Sequence, residues 1–275
     1  MSLIDRGRQT VVDGITTNYH DHGKGDPVVL LHGSGPGVSA WQNWGEVIPS
    51  LSDRFRVIAP DIVGFGLSPL PEGSKPGIKL WLNHLVGLLD ALELKKVALI
   101  GNSFGGALSL AMMSQFAHRV SRIVLMGTPV GEFEQTPGLG STHGFSLTKQ
   151  NMEKLMKQFP FDPKLVTPAM VDARFAMADV NSGLETIRAL QPKPSEDGAP
   201  VMVRGVPLSQ LEKIKIPVLI VHGREDKLVP LELAINAHKH IEDSELHVFS
   251  RCGHWVQLER KPEFVGQVMA FLGRE

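Results

Sequence analysis

The chain has 275 residues, with 28 lysines and arginines against 29 aspartates and glutamates, so its formal net charge is −1. A chain of this length forms one or two domains and buries a full hydrophobic core. Apolar residues make up 42% and charged residues 21%, which is ordinary for a globular protein and argues against disorder. The balanced charge gives no general attraction for a phosphate backbone, so we expect no nucleic acid partner.

The N-terminus and the cysteine content bear on location. The first eight residues carry charges and lack the apolar segment of a signal peptide. No apolar run approaches the roughly 20 residues that a membrane-spanning helix needs. The single cysteine, Cys252, cannot form an internal disulfide, which fits a reducing compartment. We therefore expect a cytoplasmic protein with no membrane partner.

Six short apolar segments, each followed by turn residues, predict buried strands. They cover residues 28–31, 56–59, 97–100, 122–126, 218–221 and 245–249. Runs rich in valine and isoleucine are typical of parallel strands that are covered on both faces. Residues 10–24 predict an antiparallel edge hairpin, and helical patterns cover 81–94, 106–116, 231–240 and 262–272. This alternation indicates an α/β fold: a mostly parallel sheet of about eight strands with helices on both faces.

Residues 132–211 interrupt the alternation. They contain no strand-like run, and they predict helices over 148–158, 168–178 and 183–189, followed by a segment rich in proline and glycine over 191–200. We interpret them as a helical lid inserted into a core domain that consists of residues 1–131 and 212–275. Such an insertion is expected to cover the carboxyl ends of the strands, where open α/β sheets bind ligands. A peripheral helical decoration is the alternative.

The pentapeptide Gly-Asn-Ser-Phe-Gly at residues 101–105 lies between a predicted strand and a predicted helix. This context is typical of a nucleophile elbow, a turn so tight that it needs glycines and that lifts the serine hydroxyl above the sheet. Ser103 is therefore the candidate nucleophile. The alternative is a glycine-rich turn with a capping serine.

A serine hydroxyl is a poor nucleophile unless a base removes its proton. Asp226 follows one late strand and His254 follows the last, so both are expected at the same edge of the sheet as Ser103. The order Ser103, Asp226, His254 is that of a catalytic triad on this architecture. Glu225 is a rival for the acid.

A glycine-rich loop, Leu-His-Gly-Ser-Gly-Pro-Gly at residues 31–37, follows the strand at 28–31. One N–H group of this loop, together with that of Phe104, is suited to hold a developing oxyanion. A phosphate cradle is the weaker interpretation, because the loop lacks the Gly-Lys-Ser/Thr ending of a P-loop. The sequence shows no metal-ligand spacing, so no metal is expected.

Together these segments resemble the α/β-hydrolases over about residues 18–272. Within that family the chain is similar to the meta-cleavage product hydrolases of bacterial aromatic degradation. The resemblance is carried by the loop at 31–37, Asn43, the elbow at 101–106, and two later segments, His-Gly-Arg-Glu-Asp at 222–226 with Val229-Pro230 and His-Val-Phe-Ser-Arg-Cys-Gly-His-Trp at 247–255.

The resemblance implies an α/β-hydrolase fold and cleavage of the C5–C6 bond of 2-hydroxy-6-oxohexa-2,4-dienoates. The products are 2-hydroxypenta-2,4-dienoate and a carboxylic acid, and no cofactor is implied. It also implies that the N–H groups of Ser34 and Phe104 form the oxyanion hole and that the protein is a homo-oligomer, a dimer or higher. The substrate-binding residues that it implies are Gly33, Gly35, Asn43, Asn102, Arg174 and Trp255.

Several alternatives stay open at this point. A carboxylesterase or lactonase would use the same triad, but it needs no arginine for a substrate carboxylate. A binding protein that has kept the fold without catalysis is a different class. Arg174 is assigned to the dienoate carboxylate, although a surface ion pair with Asp172 or Asp179 is the alternative. Five residues of the expected lid can either line the pocket or fill the lid core: His143, Phe145, Phe159, Phe161 and Met177.

Overall fold

The computed structural model describes residues 3–192 and 199–274. The strands in these ranges are β1 (Arg8–Val12), β2 (Ile15–His22), β3 (Pro27–Leu31), β4 (Arg56–Pro60), β5 (Val97–Asn102), β6 (Val120–Met126), β7 (Glu132–Glu134), β8 (Met202–Arg204), β9 (Val218–Gly223) and β10 (Ser244–Phe249). The α-helices are α1 (Ala40–Trp44), α2 (Ile48–Ser52), α3 (Ile78–Ala91), α4 (Phe104–Phe116), α5 (Pro137–Gly140), α6 (Lys149–Met156), α7 (Pro168–Val180), α8 (Leu184–Leu190), α9 (Leu208–Leu211), α10 (Leu231–His240), α11 (Val256–Glu259) and α12 (Lys261–Leu272).

Eight strands form one sheet in the order β1-β2-β4-β3-β5-β6-β9-β10. All neighbours from β4 to β10 are parallel, while β1 and β2 form an antiparallel hairpin that pairs with β4 at one edge. The expected mostly parallel sheet of about eight strands is therefore confirmed. Because the central strands are parallel, their carboxyl ends share one edge, and Ser103, Asp226 and His254 all follow strands at that edge.

Alternate residues of the central strands enter two separate cores, one on each face of the sheet. In β3, Val29 and Leu31 pack into the core that contains Trp81 of α3, whereas Val28 and Leu30 pack into the core that contains Trp44 of α1. Successive side chains of a strand point to opposite faces, so a strand with helices on both sides must be apolar at every position. This is the physical origin of the continuous apolar runs in the sequence.

Helices α3 and α4 differ in extent from the sequence-based prediction. Helix α3 ends at Ala91, three residues before the apolar pattern ends, because Glu93 has a φ of 58° and the N–H of Leu94 turns back to the carbonyl of Leu89. This closing turn brings Leu94 into the core outside the helix. Helix α4 begins at Phe104, directly after Ser103, rather than at Gly106.

The segment at residues 132–211 contains α5–α9, as expected for a helical insertion, but also the strands β7 and β8. These strands pair antiparallel with each other over three residues each, so the expectation of a strand-free segment was wrong. Three residues are too few to show the alternation from which a strand is predicted. Of the segment at 191–200 that is rich in proline and glycine, residues 193–198 lie outside the described residues.

None of the helices in the described ranges combines the length and the apolar character that are needed to cross a membrane.

Candidate active site

Ser103 occupies the tight turn between β5 and α4. Its φ of 53° and ψ of −114° are a strained combination for a residue with a side chain, and its N–H donates to the carbonyl of Met126 over 2.7 Å. A Cβ atom on Gly105 would collide with the backbone of Leu31, and one on Gly101 would collide with the backbone of Gly105. The two glycines of the pentapeptide are therefore required by the backbone, as the elbow interpretation predicts.

Asp226 and His254 are in direct contact. Asp226 lies in the turn after β9, and its Oδ2 accepts a hydrogen bond from Nδ1 of His254 over 2.7 Å. Its Oδ1 accepts the backbone N–H groups of Leu228 and Val229 at 2.8 and 3.0 Å. Burial would raise the pKa of this carboxyl, but His254 and these hydrogen bonds outweigh burial and lower the pKa below its ordinary value. Asp226 is therefore an anion that fixes the proton of His254 on Nδ1 and leaves Nε2 free to accept a proton.

Glu225, the rival acid, has other partners. Its carboxylate pairs with Arg224 over 2.8 Å and accepts the N–H of Cys252 over 3.1 Å. It thus supports the backbone of the loop that carries His254, while the ring of His254 turns to Asp226. The geometry favours Asp226 as the acid.

Ser103 and His254 line a common cavity of about 100 Å³. Ser34 and Gly35 of the glycine-rich loop line the same cavity. Phe104 is the first residue of α4, a position whose N–H has no acceptor within the helix. The candidate nucleophile, the candidate base and the loop of the predicted oxyanion hole thus line one small cavity.

His32 holds the glycine-rich loop in place. Its Nε2 accepts the N–H of Ile62 over 2.9 Å, so the proton is on Nδ1, which donates to the carbonyl of Gly33 over 2.7 Å. Burial lowers the pKa of His32 to about 4, so its ring is neutral at physiological pH. The N–H of Gly33 donates to Oδ1 of Asn43 over 3.1 Å. Both backbone groups of Gly33 are therefore used within the protein, and of the loop residues expected to bind substrate only Gly35 borders the cavity.

Arg174 is a buried cation. It lies on α7, which begins after the N-cap Thr167 with Pro168 in its first turn, and the residue is only 5% exposed. Its Nε donates to the carbonyl of Pro36 over 2.9 Å, and no carboxylate of the described residues lies within ion-pair distance of it. Burial lowers its pKa to about 10, so it is still charged at neutral pH.

The structure does not show the alternative for Arg174, a surface ion pair with Asp172 or Asp179. Asp172, one of the two acids considered as its partner, pairs with Lys149 over 2.8 Å instead. The guanidinium lies 5.9 Å from the ring centroid of Phe159 and close to Gly35, which borders the cavity at Ser103. A buried cation beside a cavity is suited to bind an anionic ligand.

Arg174 is not among the residues that line the cavity at Ser103, and it lines a larger, separate cavity of about 560 Å³ together with Asn43 and Trp255. Three of the six predicted substrate-binding residues are thus brought to one place. Asn102 is different, because its buried amide donates to the carbonyl of Met126 over 3.3 Å behind the elbow. Its contact supports the turn on which Ser103 lies.

Phe159 contacts residues of both cavities, namely His254 on one side and Trp255 and Arg174 on the other. Its ring stacks on Trp255 with centroids 4.9 Å apart and lies 5.9 Å from the ring of His254, and its carbonyl accepts the N–H of His254 over 2.7 Å. Of the five residues weighed as pocket lining, Phe159 borders the cavity at Ser103, and Phe145 borders a neighbouring one. Met177 is buried, Phe161 is 36% exposed, and His143 contacts Gln135 over 3.0 Å.

Sequence reasoning missed two residues that support the site. The carboxylate of Glu259 accepts the N–H groups of Gly253 and Trp255, which flank His254, at 3.0 and 3.2 Å. Gly127 has a φ of 54°, and a Cβ atom there would lie 2.8 Å from the ring of His254. A glycine directly after the run at 122–126 was a signal for a tight turn, whereas nothing in the sequence pairs Glu259 with the histidine loop.

The sequence matches the alpha/beta hydrolase family over residues 28–267. It is 45% identical to the 2-hydroxy-6-oxo-2,4-heptadienoate hydrolase of Pseudomonas putida strain F1, over 98% of this chain and 97% of that protein. It is 40% identical to the 2-hydroxymuconate semialdehyde hydrolase of Pseudomonas sp. strain CF600, over 97% of this chain and 93% of that protein.

Solved structures agree with the sequence relatives. A mutant of the meta-cleavage product hydrolase from Pseudomonas fluorescens IP01, complexed with acetates, superimposes with a TM-score of 0.89 at 38% identity, covering 97% of both chains. The 2-hydroxy-6-oxo-6-phenylhexa-2,4-dienoate hydrolase from Rhodococcus sp. strain RHA1 superimposes with a TM-score of 0.85 at 29% identity, covering 97% of this chain and 98% of the other.

Proposed function

The chain belongs to the alpha/beta hydrolase family, and on this premise we propose that it cleaves the C5–C6 carbon–carbon bond of 2-hydroxy-6-oxohexa-2,4-dienoates. Such compounds are the meta-cleavage products of aromatic rings, and the products of the reaction are 2-hydroxypenta-2,4-dienoate and a carboxylic acid. The observation that carries the proposal is the buried guanidinium of Arg174 beside the cavity of Ser103 and His254. A simple esterase has no need of a buried cation at this place.

A carbon–carbon bond breaks only if the departing electron pair is stabilised. In the first step the proton of the 2-hydroxyl group moves to C5, which gives the 2,6-dioxo form of the substrate. Water then attacks C6, either directly or by way of an acyl group on Ser103. The C5–C6 bond breaks, its electron pair forms the C4–C5 double bond, and the negative charge reaches the C2 oxygen. That oxygen takes up the proton released by water, so one water molecule is consumed in all.

Arg174 binds the dienoate carboxylate in this mechanism. A guanidinium presents paired N–H donors that match a carboxylate, and burial away from water strengthens the interaction. Asn43 and Trp255 line the same cavity wall as Arg174. The dienoate therefore extends from Arg174 towards Ser103, with C6 at the cavity of about 100 Å³. The substituent on C6 then points away from Arg174.

His254 moves the protons, and Asp226 supports it. The contact of 2.7 Å between Asp226 and Nδ1 of His254 orients the ring and stabilises its protonated form during attack. The N–H groups of Ser34 and Phe104 stabilise the negative charge that develops on the oxygen at C6. Residues 132–211 act as the lid, because Arg174 and Phe159 reach the site from this segment.

The test is an absorbance assay on 2-hydroxy-6-oxohepta-2,4-dienoate, with p-nitrophenyl acetate as a parallel substrate. The dienoate is coloured by conjugation and bleaches on cleavage. Fast bleaching with slow ester hydrolysis is expected. Rapid ester hydrolysis without bleaching of dienoates with a methyl or a phenyl group on C6 would contradict the proposal and favour a carboxylesterase or lactonase. No turnover of either substrate would favour a binding protein.

Location and assembly belong to the same proposal. A protein that acts on a small-molecule product of aromatic degradation and contains a single buried cysteine is suited to the cytoplasm. A homo-oligomer, a dimer or higher, is expected from the resemblance to the family. Light scattering coupled to size-exclusion chromatography measures the mass in solution and decides between a monomer of 30.1 kDa and its multiples.

A further inference from the structure

We propose that a hydrogen bond between Gln191 and Thr142 limits the size of the C6 substituent that the enzyme accepts. The inference rests on the proposed function, because it concerns the acyl side of the same site. It assigns a specificity-determining pair to two residues that are separated by 49 positions in the chain.

Two cavities lie side by side under the segment at 132–211. The first is the cavity of about 100 Å³ that contains Ser103 and His254. The second has about 160 Å³ and is lined by Gly144, Phe145, Leu184 and Arg188. Three residues border both cavities, namely Thr142, Ile187 and Gln191. These three side chains therefore form the wall between the two spaces.

Within this wall, a hydrogen bond between the side chains of Gln191 and Thr142 closes the gap between the two residues. The hydroxyl of Thr142 donates to the carbonyl of Leu139 over 3.0 Å and accepts a hydrogen bond from Nε2 of Gln191 over 2.8 Å. Gln191 directly follows α8, and its backbone N–H donates to the carbonyl of Ile187. The bond thus ties the turn after α5 to the end of α8. If Gln191 swings aside, a half-buried hydroxyl and an amide both lose a partner, so the wall stays closed.

The closed wall leaves little room on the acyl side. An apolar cavity of about 150 Å³ holds one benzene molecule, so the cavity of about 100 Å³ at Ser103 is smaller than a phenyl group needs. A methyl group is about as large as one water molecule and fits. A phenyl group has six ring carbons and must extend into the second cavity, which the wall prevents. The wild-type enzyme is therefore expected to prefer a methyl group to a phenyl group on C6.

The experiment compares kcat/KM for 2-hydroxy-6-oxohepta-2,4-dienoate and 2-hydroxy-6-oxo-6-phenylhexa-2,4-dienoate. In Gln191→Ala the ratio of the phenyl to the methyl substrate is expected to rise by about tenfold or more, in line with the discrimination that pocket contacts usually provide. Thr142→Val keeps the volume and removes the hydrogen bond, so a smaller rise of the same sign is expected. Arg188→Ala is the matched control, because Arg188 borders only the second cavity, and its ratio is expected to equal that of the wild type.

A double variant tests whether the raised ratio of the phenyl to the methyl substrate in Gln191→Ala arises because the two cavities have become one. Leu184 borders the second cavity alone, so Leu184→Trp fills that space. In Gln191→Ala/Leu184→Trp the ratio is expected to return close to the wild-type value. An unchanged ratio in folded Gln191→Ala and Thr142→Val, or a raised ratio that persists in the double variant, overturns the inference. Thermal unfolding curves establish that each variant is folded. If the wild type cleaves neither dienoate, the proposed function fails. If it cleaves the phenyl dienoate in preference to the methyl one, or if the ratio does not respond to the variants, the inference fails while the proposed function stands.

Discussion

Arg174 donates a hydrogen bond from Nε to the backbone carbonyl of Pro36, over 2.9 Å and across 138 positions of the chain. The contact joins α7 to the glycine-rich loop that lines the cavity of Ser103. Two more contacts lie beside it: Gln42 donates its amide to the carbonyl of Ala173, and the N–H of Gly37 donates to the carbonyl of Ser182. The residue that we propose to bind the dienoate carboxylate is thus held by the loop that we propose to bind the oxyanion.

Arg174→Ala is expected to lower kcat/KM for dienoates by about 100-fold, which corresponds to about 2.7 kcal/mol of transition-state stabilisation. The reason is that the carboxylate loses a charge-assisted contact in a buried setting. Steady-state bleaching of the methyl dienoate measures the effect. Arg174→Lys keeps the charge without the paired donors, and it is expected to restore part of the loss.

Hydrolysis of p-nitrophenyl acetate is the internal control for this variant. This ester has no carboxylate, so its turnover is expected to change far less than that of the dienoate. An equal loss on both substrates would mean that Arg174 acts through the contact with Pro36 and the loop, and the carboxylate assignment would then be wrong.

Ser103→Ala is expected to reduce steady turnover of the dienoate by at least about 1,000-fold while substrate still binds. Ser103 lines the cavity in which C6 is expected, but the carboxylate contact is made elsewhere, by Arg174. An absorbance titration with the intact dienoate measures binding to this variant. Addition of Arg174→Ala to Ser103→Ala is expected to weaken that binding. A Ser103→Ala enzyme that keeps normal turnover would contradict the role of Ser103.

The sequence was sufficient to place groups that follow strands. Ser103, Asp226 and His254 each come after an apolar run, and parallel strands bring such positions to one edge whatever the details of packing. The contact of Asp226 with His254 could therefore be expected without coordinates. The role of Arg174 came only from resemblance, since an arginine in a helical segment has no pattern that distinguishes a buried position from an exposed one.

Features that depend on distant contacts escaped prediction. The carboxylate of Glu259 accepts the N–H of Phe161 over 2.7 Å across 98 positions, and the wall between Thr142 and Gln191 depends on how two turns meet. Neither has a local period or motif. The strands β7 and β8 were missed for the related reason that each is stabilised by its partner and not by its own three residues.

Glu259→Gln is expected to lower kcat by about 10- to 100-fold with a much smaller change in KM, because a small displacement of a catalytic group is costly. The carboxylate of Glu259 accepts hydrogen bonds from the backbone N–H groups on both sides of His254 and from that of Phe161. An amide replaces one acceptor oxygen with a donor that repels an N–H group. Separate kcat and KM values on the methyl dienoate measure the effect.

Glu263→Gln is the matched control, because Glu263 follows four residues later, in the first turn of α12, and is exposed. It is expected to match the wild type in kcat. If Glu259→Gln changes only the unfolding temperature and leaves kcat intact, Glu259 stabilises the fold and does not position His254.

Stability is expected to depend on pH through buried neutral histidines. Burial lowers the pKa of both His32 and His84 to about 4, from an ordinary value of 6.5. Between pH 6.5 and 4 the unfolded chain therefore binds protons at these positions that the folded protein excludes, so the free energy of unfolding falls as the pH falls. Asp61 acts in the opposite sense, since burial raises its pKa to about 6 and the folded protein binds its proton first.

His84 allows one of these contributions to be isolated. Its Nε2 is 2.7 Å from the hydroxyl of Thr17, which itself donates to the carbonyl of Ile15, so the histidine is the donor of this pair. In Thr17→Val/His84→Leu both polar partners are replaced together, which leaves neither unpaired. Near pH 5 the slope of the unfolding free energy against pH is expected to be smaller than that of the wild type by about 1.4 kcal/mol per pH unit, the value for one proton. Denaturant titrations at half-unit steps from pH 4 to 7 measure both slopes, and identical slopes would show that His84 is not a source of the pH dependence.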